Sequence, residues 1–291
     1  MKILRRFTLG IALLGLTGAV TAVESDDPIK LALNEWTGQH ITTYIAGEAL
    51  KRLGYNVEYV TAGYYPQMDA LPDNSITATL EIWSSNIGEN YQRALDTGKV
   101  EELGELGLKP RETWMYPAYM EAQCPGLPDW KALNACAEVF ATADTFPKGR
   151  FLDYPAEWGT TNVDRINALN MNFVSQPAGS EGAMLAELKR AVAKQEPLVL
   201  QFWEPHWFHA MQEMKPVELP PYEVGCHDDP SWGINPDATY DCDWDDSAHI
   251  DKVGWIGLRD KWPGAHKFLS NYTLNNATQQ VLMRQVDVDG E

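Results

Sequence analysis

Four tryptophans stand where short apolar runs end. Trp36 follows Ile29 to Leu33 within Asn34-Glu35-Trp36-Thr37-Gly38, and Trp83 closes the run from Ile76. Trp203 closes the run from Pro197 within Phe202-Trp203-Glu204-Pro205-His206-Trp207, and Trp158 sits in Pro155-Ala156-Glu157-Trp158-Gly159-Thr160. In open α/β sheets, ligands bind beyond the carboxyl ends of strands. Indoles converging there form a cage whose electron-rich faces attract a desolvated quaternary ammonium. Such a cation cannot donate hydrogen bonds, so π-faces suit it better than carboxylates alone. One tryptophan by itself is more often a core or interdomain filler. Four at equivalent positions, in a chain of 291 residues with 11 Trp, 12 Tyr and 8 Phe, form a pattern.

Other chemistry finds less support. Ala178-Gly179-Ser180-Glu181-Gly182 is one glycine short of a nucleophile elbow, and Ser180 reads better as a helix cap. His206 and His209 do not form H-E-x-x-H, and the flanking Trp and Phe suggest packing. A phosphate-cradling G-x-x-x-x-G-K-[ST] loop is absent. Asp241, Asp243 and Asp245 alternate as in an EF-hand, but Asp246 stands where the loop needs glycine and Lys252 where it needs glutamate, so an EF-hand is rejected. A cage with nearby carboxylates, Glu81 with Glu157, also admits a secreted glycosidase. A sugar-binding importer subunit would use similar aromatics as stacking platforms.

The elements that must position the tryptophans alternate along the chain. Ile29 to Leu33 reads as a strand, and Ile41, Ile45, Ala49 and Leu53 carry a helical stripe from His40 to Leu53, with Gly54 as its stop. Asn56 to Thr61 and Ile76 to Trp83 read as strands. Met171 to Ser175 follows as a strand, Glu181 to Lys194 as an amphipathic helix, and Pro197 to Trp203 as a buried strand. Strand–helix–strand repetition implies α/β layers with largely parallel sheets. Lys215 to Ser247 is rich in Pro, Asp and Cys without periodicity, and reads as a return crossing between two lobes.

Charge and cysteine usage set the compartment. The chain carries 41 acidic and 23 basic side chains, a net charge of −18, which argues against nucleic-acid or anionic-membrane partners. Lys2, Arg5 and Arg6, then the apolar Phe7 to Leu16, then Val20 and Ala22 form a secretory signal peptide over residues 1–22. The expected location is therefore the periplasm. In an oxidising compartment four cysteines favour disulfides, and the two local pairings, Cys124–Cys136 and Cys226–Cys242, are simplest. Each closes a short loop, worth about 3 kcal/mol in the chain-entropy model.

With these residues in view, the chain resembles the substrate-binding proteins of ABC importers for glycine betaine and related compatible solutes. Trp83, Glu157-Trp158-Gly159-Thr160 and Phe202-Trp203-Glu204-Pro205-His206-Trp207 carry the resemblance, with weaker support from Gly179-Ser180-Glu181-Gly182. It implies a type II periplasmic binding protein: two α/β lobes, joined by a two-crossing hinge, closing on ligand. The lobes are expected over 23–112 plus 225–291 and over 113–224. It further implies that Trp83, Trp158 and Trp203 box an ammonium group, with Trp36 as the extra wall of choline-type members. The backbone N–H groups of Gly159 and Thr160 would hold a ligand carboxylate. Permease and ATPase subunits are the implied partners, the receptor itself being a monomer and no enzyme.

One position departs from the family. Some betaine binders have a histidine four residues after the strand-end tryptophan, and here it is Ile87. The surroundings offer Glu81, Glu121 and Glu157 instead, and similar trimethylamine N-oxide binders pair a four-Trp box with one Glu. An acidic residue favours choline or a protonated N-oxide. Glu121, with Tyr116 beside it, is the expected polar wall, and Tyr119 is a further candidate. No cofactor is required. Some similar N-oxide binders carry a hinge calcium, which here would lie in the 235–245 loop, with Asn235, Asp237 and Tyr240 as ligands; a solvated acidic loop is the alternative.

Overall fold

A computed structural model describes residues 24–290; the expected signal peptide over 1–22 lies outside the described residues. Among the described residues ten strands form two five-stranded sheets. The first holds β1 (Ile29–Leu33), β2 (Val57–Thr61), β3 (Ala78–Trp83), β4 (Val100–Glu105) and β10 (Ile250–Trp255), in the order β2-β1-β3-β10-β4. The second holds β5 (Arg111–Pro117), β6 (Gly149–Asp153), β7 (Phe173–Pro177), β8 (Leu200–Glu204) and β9 (Met214–Pro216), in the order β7-β6-β8-β5-β9.

The two orders are the same pattern. In each sheet the lobe's first strand sits between its second and third, and the strand that has just crossed from the other lobe is inserted before the fourth. That inserted strand, β10 or β5, runs antiparallel to both neighbours, whereas the other pairings are parallel. The sheets are thus largely parallel, with one reversed strand each. The chain crosses outward between β4 and β5 and returns through the long segment after β9. Arg111 and Glu112 already belong to the second sheet.

Local sequence accounts for the elements that matter here. β3 is buried at every residue, as expected of a strand covered on both faces. Helix α1 (Thr37–Arg52) buries Ile41, Ala46 and Leu50 against the first sheet. Gly54, at φ +97°, lies just past its C-cap residue Leu53. Ser180 caps the helix Glu181–Lys194, its Oγ accepting the Ala183 N–H at 3.1 Å. Both expected disulfides are present, with Cα separations of 5.8 Å for Cys124–Cys136 and 6.0 Å for Cys226–Cys242. The second ties down the return crossing. There the buried Arg165 donates to the Cys242 carbonyl at 2.8 Å and stacks on Trp244 at 3.6 Å. Among the described residues no helix is long and apolar enough to cross a membrane.

Candidate functional site

The lobes meet over a small cavity lined by Trp36, Tyr64, Trp83, Asn86, Glu112, Tyr154, Trp158 and Trp203. Three indoles form a continuous wall. Trp36 meets Trp158 edge to face at 5.4 Å, and Trp158 meets Trp203 in the same manner at 5.7 Å. Trp36 and Trp83 come from the first lobe, Trp158 and Trp203 from the second, so the wall is complete only when the lobes are together.

The rings of Trp36 and Trp83 are held by polar groups behind them. One carboxylate oxygen of Glu81 accepts the indole N–H of Trp36 at 2.8 Å and that of Trp83 at 3.1 Å. The other accepts from Thr42 at 2.9 Å and from Gln279 at 3.3 Å. Burial raises the Glu81 pKa, and these four donors pull it back. Glu81 therefore faces the backs of the rings. The Tyr64 hydroxyl accepts the Trp83 backbone N–H at 2.9 Å and sits 3.3 Å from its carbonyl, fixing the strand end.

Trp158 is held across the cleft. The Tyr65 hydroxyl donates to the Trp158 carbonyl at 3.0 Å. Gly159 makes room for it: at φ +137°, a Cβ there would lie 2.8 Å from that hydroxyl. Beside Trp158, Tyr154 follows the buried Asp153, which accepts from Ser175 at 2.7 Å and Asn162 at 2.6 Å. Burial pushes Asp153 up to about 6.

The carboxylate that faces the cavity is Glu112, which the sequence reading missed. It is 8% exposed and accepts from Ser85 and, at 3.3 Å, from Asn86, both on the first lobe. Burial pushes it up to about 7, against the opposing pull of Ser85, Arg165 and Asn86. An acid poised there can donate as a carboxylic acid or accept as a carboxylate near neutral pH.

Other expected site residues lie elsewhere. Tyr116 donates to Glu121 at 3.3 Å, and Glu121 pairs with Lys215 at 2.8 Å, away from the cavity lining. Tyr119 donates to the Glu196 carbonyl at 2.7 Å. The Gly159 N–H is used by the Ala156 carbonyl at 3.3 Å, and Thr160 and Glu157 are exposed. In the 235–245 loop, Asn235 donates to the Asn167 carbonyl at 3.1 Å, Asp237 is exposed, and the Tyr240 ring stacks on His227 at 4.8 Å.

Two α/β lobes hinged over a deep aromatic cavity define a solute-capturing receptor. The model of the substrate-binding domain of ABC-type glycine betaine transport systems matches residues 27–291, and the chain belongs to that family. It is 30% identical over 225 residues to the trimethylamine N-oxide-binding protein of Pelagibacter ubique, covering 75% of this chain and 71% of that one. Among solved structures, an ABC-transporter choline-binding protein in complex with choline superposes with a TM-score of 0.70 at 20% identity, over 91% of this chain and 84% of that one. Lactococcal OpuAC, closed on glycine betaine, gives 0.68 at 16% identity, over 91% of each chain. The protein is thus an extracytoplasmic transport receptor working with permease and ATPase subunits, and not an enzyme. Neither the sugar-binding nor the glycosidase alternative finds support in these relatives.

Proposed function

We propose that the receptor captures trimethylamine N-oxide in the periplasm, after export by the signal peptide at 1–22, and delivers it to its importer. Trp36, Trp83, Trp158 and Trp203 would surround the methyl groups, each desolvated cation–π contact contributing about 0.5 to 2 kcal/mol. Glu112 is the observation that carries the choice of ligand. Near neutral pH a large share of it holds a proton, and an N-oxide places a strong acceptor one bond from the ammonium nitrogen. A protonated Glu112 would donate to that oxygen while the methyl groups rest on the indoles. Glycine betaine needs several donors for its carboxylate, and the N–H groups of Gly159 and Thr160 are not among the lining residues. Choline is the second reading, because an ionised Glu112 would accept its hydroxyl. The resemblance to the Pelagibacter N-oxide-binding protein supports the first.

The test is calorimetric titration of refolded, ligand-stripped protein with trimethylamine N-oxide, choline, glycine betaine, proline betaine, carnitine and maltose. The N-oxide should bind tightest, in the micromolar range. Choline binding tighter would transfer the assignment to the second reading.

A calcium ion in the 235–245 loop belongs to the same proposal, with Asp241 added to its donors. Both Asp241 carboxylate oxygens are buried without a hydrogen-bond partner, and the carboxylate packs against Gly233. A hard cation is the kind of group such oxygens accept. Calcium added to chelator-treated protein should raise its thermal midpoint, and Asp241→Asn should abolish the rise. An unchanged midpoint would leave the loop without a metal role.

A further inference from the structure

Helix α1 starts without a cap of its own. Its N-cap residue is Trp36, extended at φ −134° and ψ 149°, with no side-chain cap and no acidic residue in the first turn. The Trp36 side chain is turned toward Glu81 instead. A helix start left this way has unsatisfied N–H groups and the positive end of the helix dipole. One of those groups, the Thr37 N–H, donates to Glu181 Oε2 at 2.8 Å. Glu181 is 144 residues away in sequence, the first residue of the helix Glu181–Lys194 on the other lobe.

The rest of the Glu181 environment is buried and under-satisfied. Glu181 is 5% exposed, and its Oε1 has no hydrogen-bond partner. That oxygen lies 3.7 Å from Nε2 of His206, which is fully buried and also unpartnered. The Nδ1 atom of His206 accepts the Phe208 N–H at 3.1 Å, so the ring proton resides on Nε2, facing the carboxylate. The same imidazole packs edge-on against Trp203 at 5.3 Å. Glu181 thus stands between the backbone that carries Trp36 and the ring that supports Trp203. A second link runs beside it: Thr37 Oγ1 and Trp207 Nε1 both donate to Asp287, at 2.8 and 2.7 Å.

We infer that Glu181 is the latch of the closed receptor, a carboxylate on one lobe that caps α1 of the other and so holds Trp36 against Trp158. Opening the cleft separates Glu181 from Thr37 and returns both to water. Closing supplies the missing cap through a charge-assisted hydrogen bond. Glu181 does not line the cavity, so it acts on the open–closed equilibrium and not on ligand contacts. Apparent affinity scales with the population of the binding-competent state, so losing the latch must weaken every ligand by one common factor. The inference rests on the ligand-binding role proposed above but not on which compound is bound.

Proline suits the first position of a helix, and the extended Trp36 backbone suits a residue preceding proline. Thr37→Pro therefore deletes the latch donor while keeping the helix start, and Thr37→Ala controls for the lost hydroxyl. Release rates and affinities would be measured for trimethylamine N-oxide, choline and glycine betaine. In Glu181→Ala every compound that binds should be released about tenfold faster, with an unchanged thermal midpoint for ligand-free protein. Thr37→Pro should match it relative to Thr37→Ala, and the double variant should lose no more than either. Glu181→Gln, which keeps an acceptor without the charge, should fall between, and serves if the alanine variant does not fold. Wild-type release from Glu181→Ala, or factors that differ between ligands, would overturn the latch. If none of the three compounds bound the wild type, the ligand assignment would fail. The latch would then be read by small-angle scattering of ligand-free protein, with a lower closed fraction in Glu181→Ala supporting it and an equal one overturning it.

Discussion

Glu112 and Trp203 are direct cross-strand partners in the antiparallel pair of β5 and β8. Their side chains therefore share a face of the second sheet, and both line the cavity. The rule that ligands meet the carboxyl ends of strands applies to the parallel strands. β5 is the reversed strand of its sheet, so its amino-terminal end reaches the cleft and brings a carboxylate beside an indole. The inserted-strand topology thus gives the cage its acidic group.

Glu81 should matter to binding without touching ligand. Glu81→Met leaves two buried indole N–H groups and the Thr42 hydroxyl without their acceptor, at about 1–3 kcal/mol for each orphaned group. Affinity for trimethylamine N-oxide should fall at least about tenfold, and the ligand-free thermal midpoint should fall by several degrees. Calorimetry with differential scanning fluorimetry reads both; a variant of unchanged affinity would remove Glu81 from the support of Trp36 and Trp83.

Trp158 touches both Trp36 and Trp203, so its loss opens the wall on two sides. Trp158→Ala and Trp203→Ala should each weaken binding by about tenfold or more, several cation–π contacts being lost or loosened together. If both variants bind as the wild type does, the cavity is not the binding site.

Gly159→Ala should impair closure. The new Cβ meets the Tyr65 hydroxyl and places alanine at φ +137°, where an L side chain is strained. Faster ligand release with a nearly unchanged association rate is expected in stopped-flow tryptophan fluorescence. Tyr65→Phe, which deletes the bond to the Trp158 carbonyl, should shift release in the same direction by a smaller factor.

How much of this was legible in the sequence depended on range. Trp83 and Trp203 stand out because each ends a β-type apolar run, and the helix Glu181–Lys194 was bounded correctly by its serine cap and its periodicity. Gly54 marked the end of α1 for the same local reason. Glu112 was missed because its meaning depends on β5 being reversed, which no local pattern states. The signal was present as Arg111-Glu112-Thr113-Trp114-Met115-Tyr116-Pro117, an aromatic and apolar run with a glutamate at its second position. Tyr116 and Glu121 drew attention from the same region, but Tyr116 lies at the far end of that strand and Glu121 in the short helix Met120–Gln123 beyond it, where Lys215 of β9 pairs with Glu121. Glu81 was visible as a carboxylate inside a buried strand, yet its role required knowing that it lies behind Trp36 and accepts that ring's N–H.

The Glu112 carboxyl also predicts how ligand-free stability varies with pH. Its folded pKa of about 7 stands above the ordinary 4.5, so the folded state holds the proton more tightly than the unfolded one. This contribution to stability is complete below about pH 4.5 and is lost as pH rises through about 7. Relative to Glu112→Gln, whose profile lacks this component, the wild-type thermal midpoint should decline between pH 5 and about 8. Parallel profiles for the two proteins would contradict it.

The most direct test is calorimetric titration of ligand-stripped protein with trimethylamine N-oxide and with choline, at pH values on either side of about 7. If protonated Glu112 donates to the N-oxide oxygen, affinity for the N-oxide falls as pH rises through 7, approaching about tenfold per unit above it. Choline, which calls for the ionised form, should change in the opposite direction, and Glu112→Gln should flatten both profiles. N-oxide affinity that is independent of pH in the wild type, or binding of choline alone, would contradict the account.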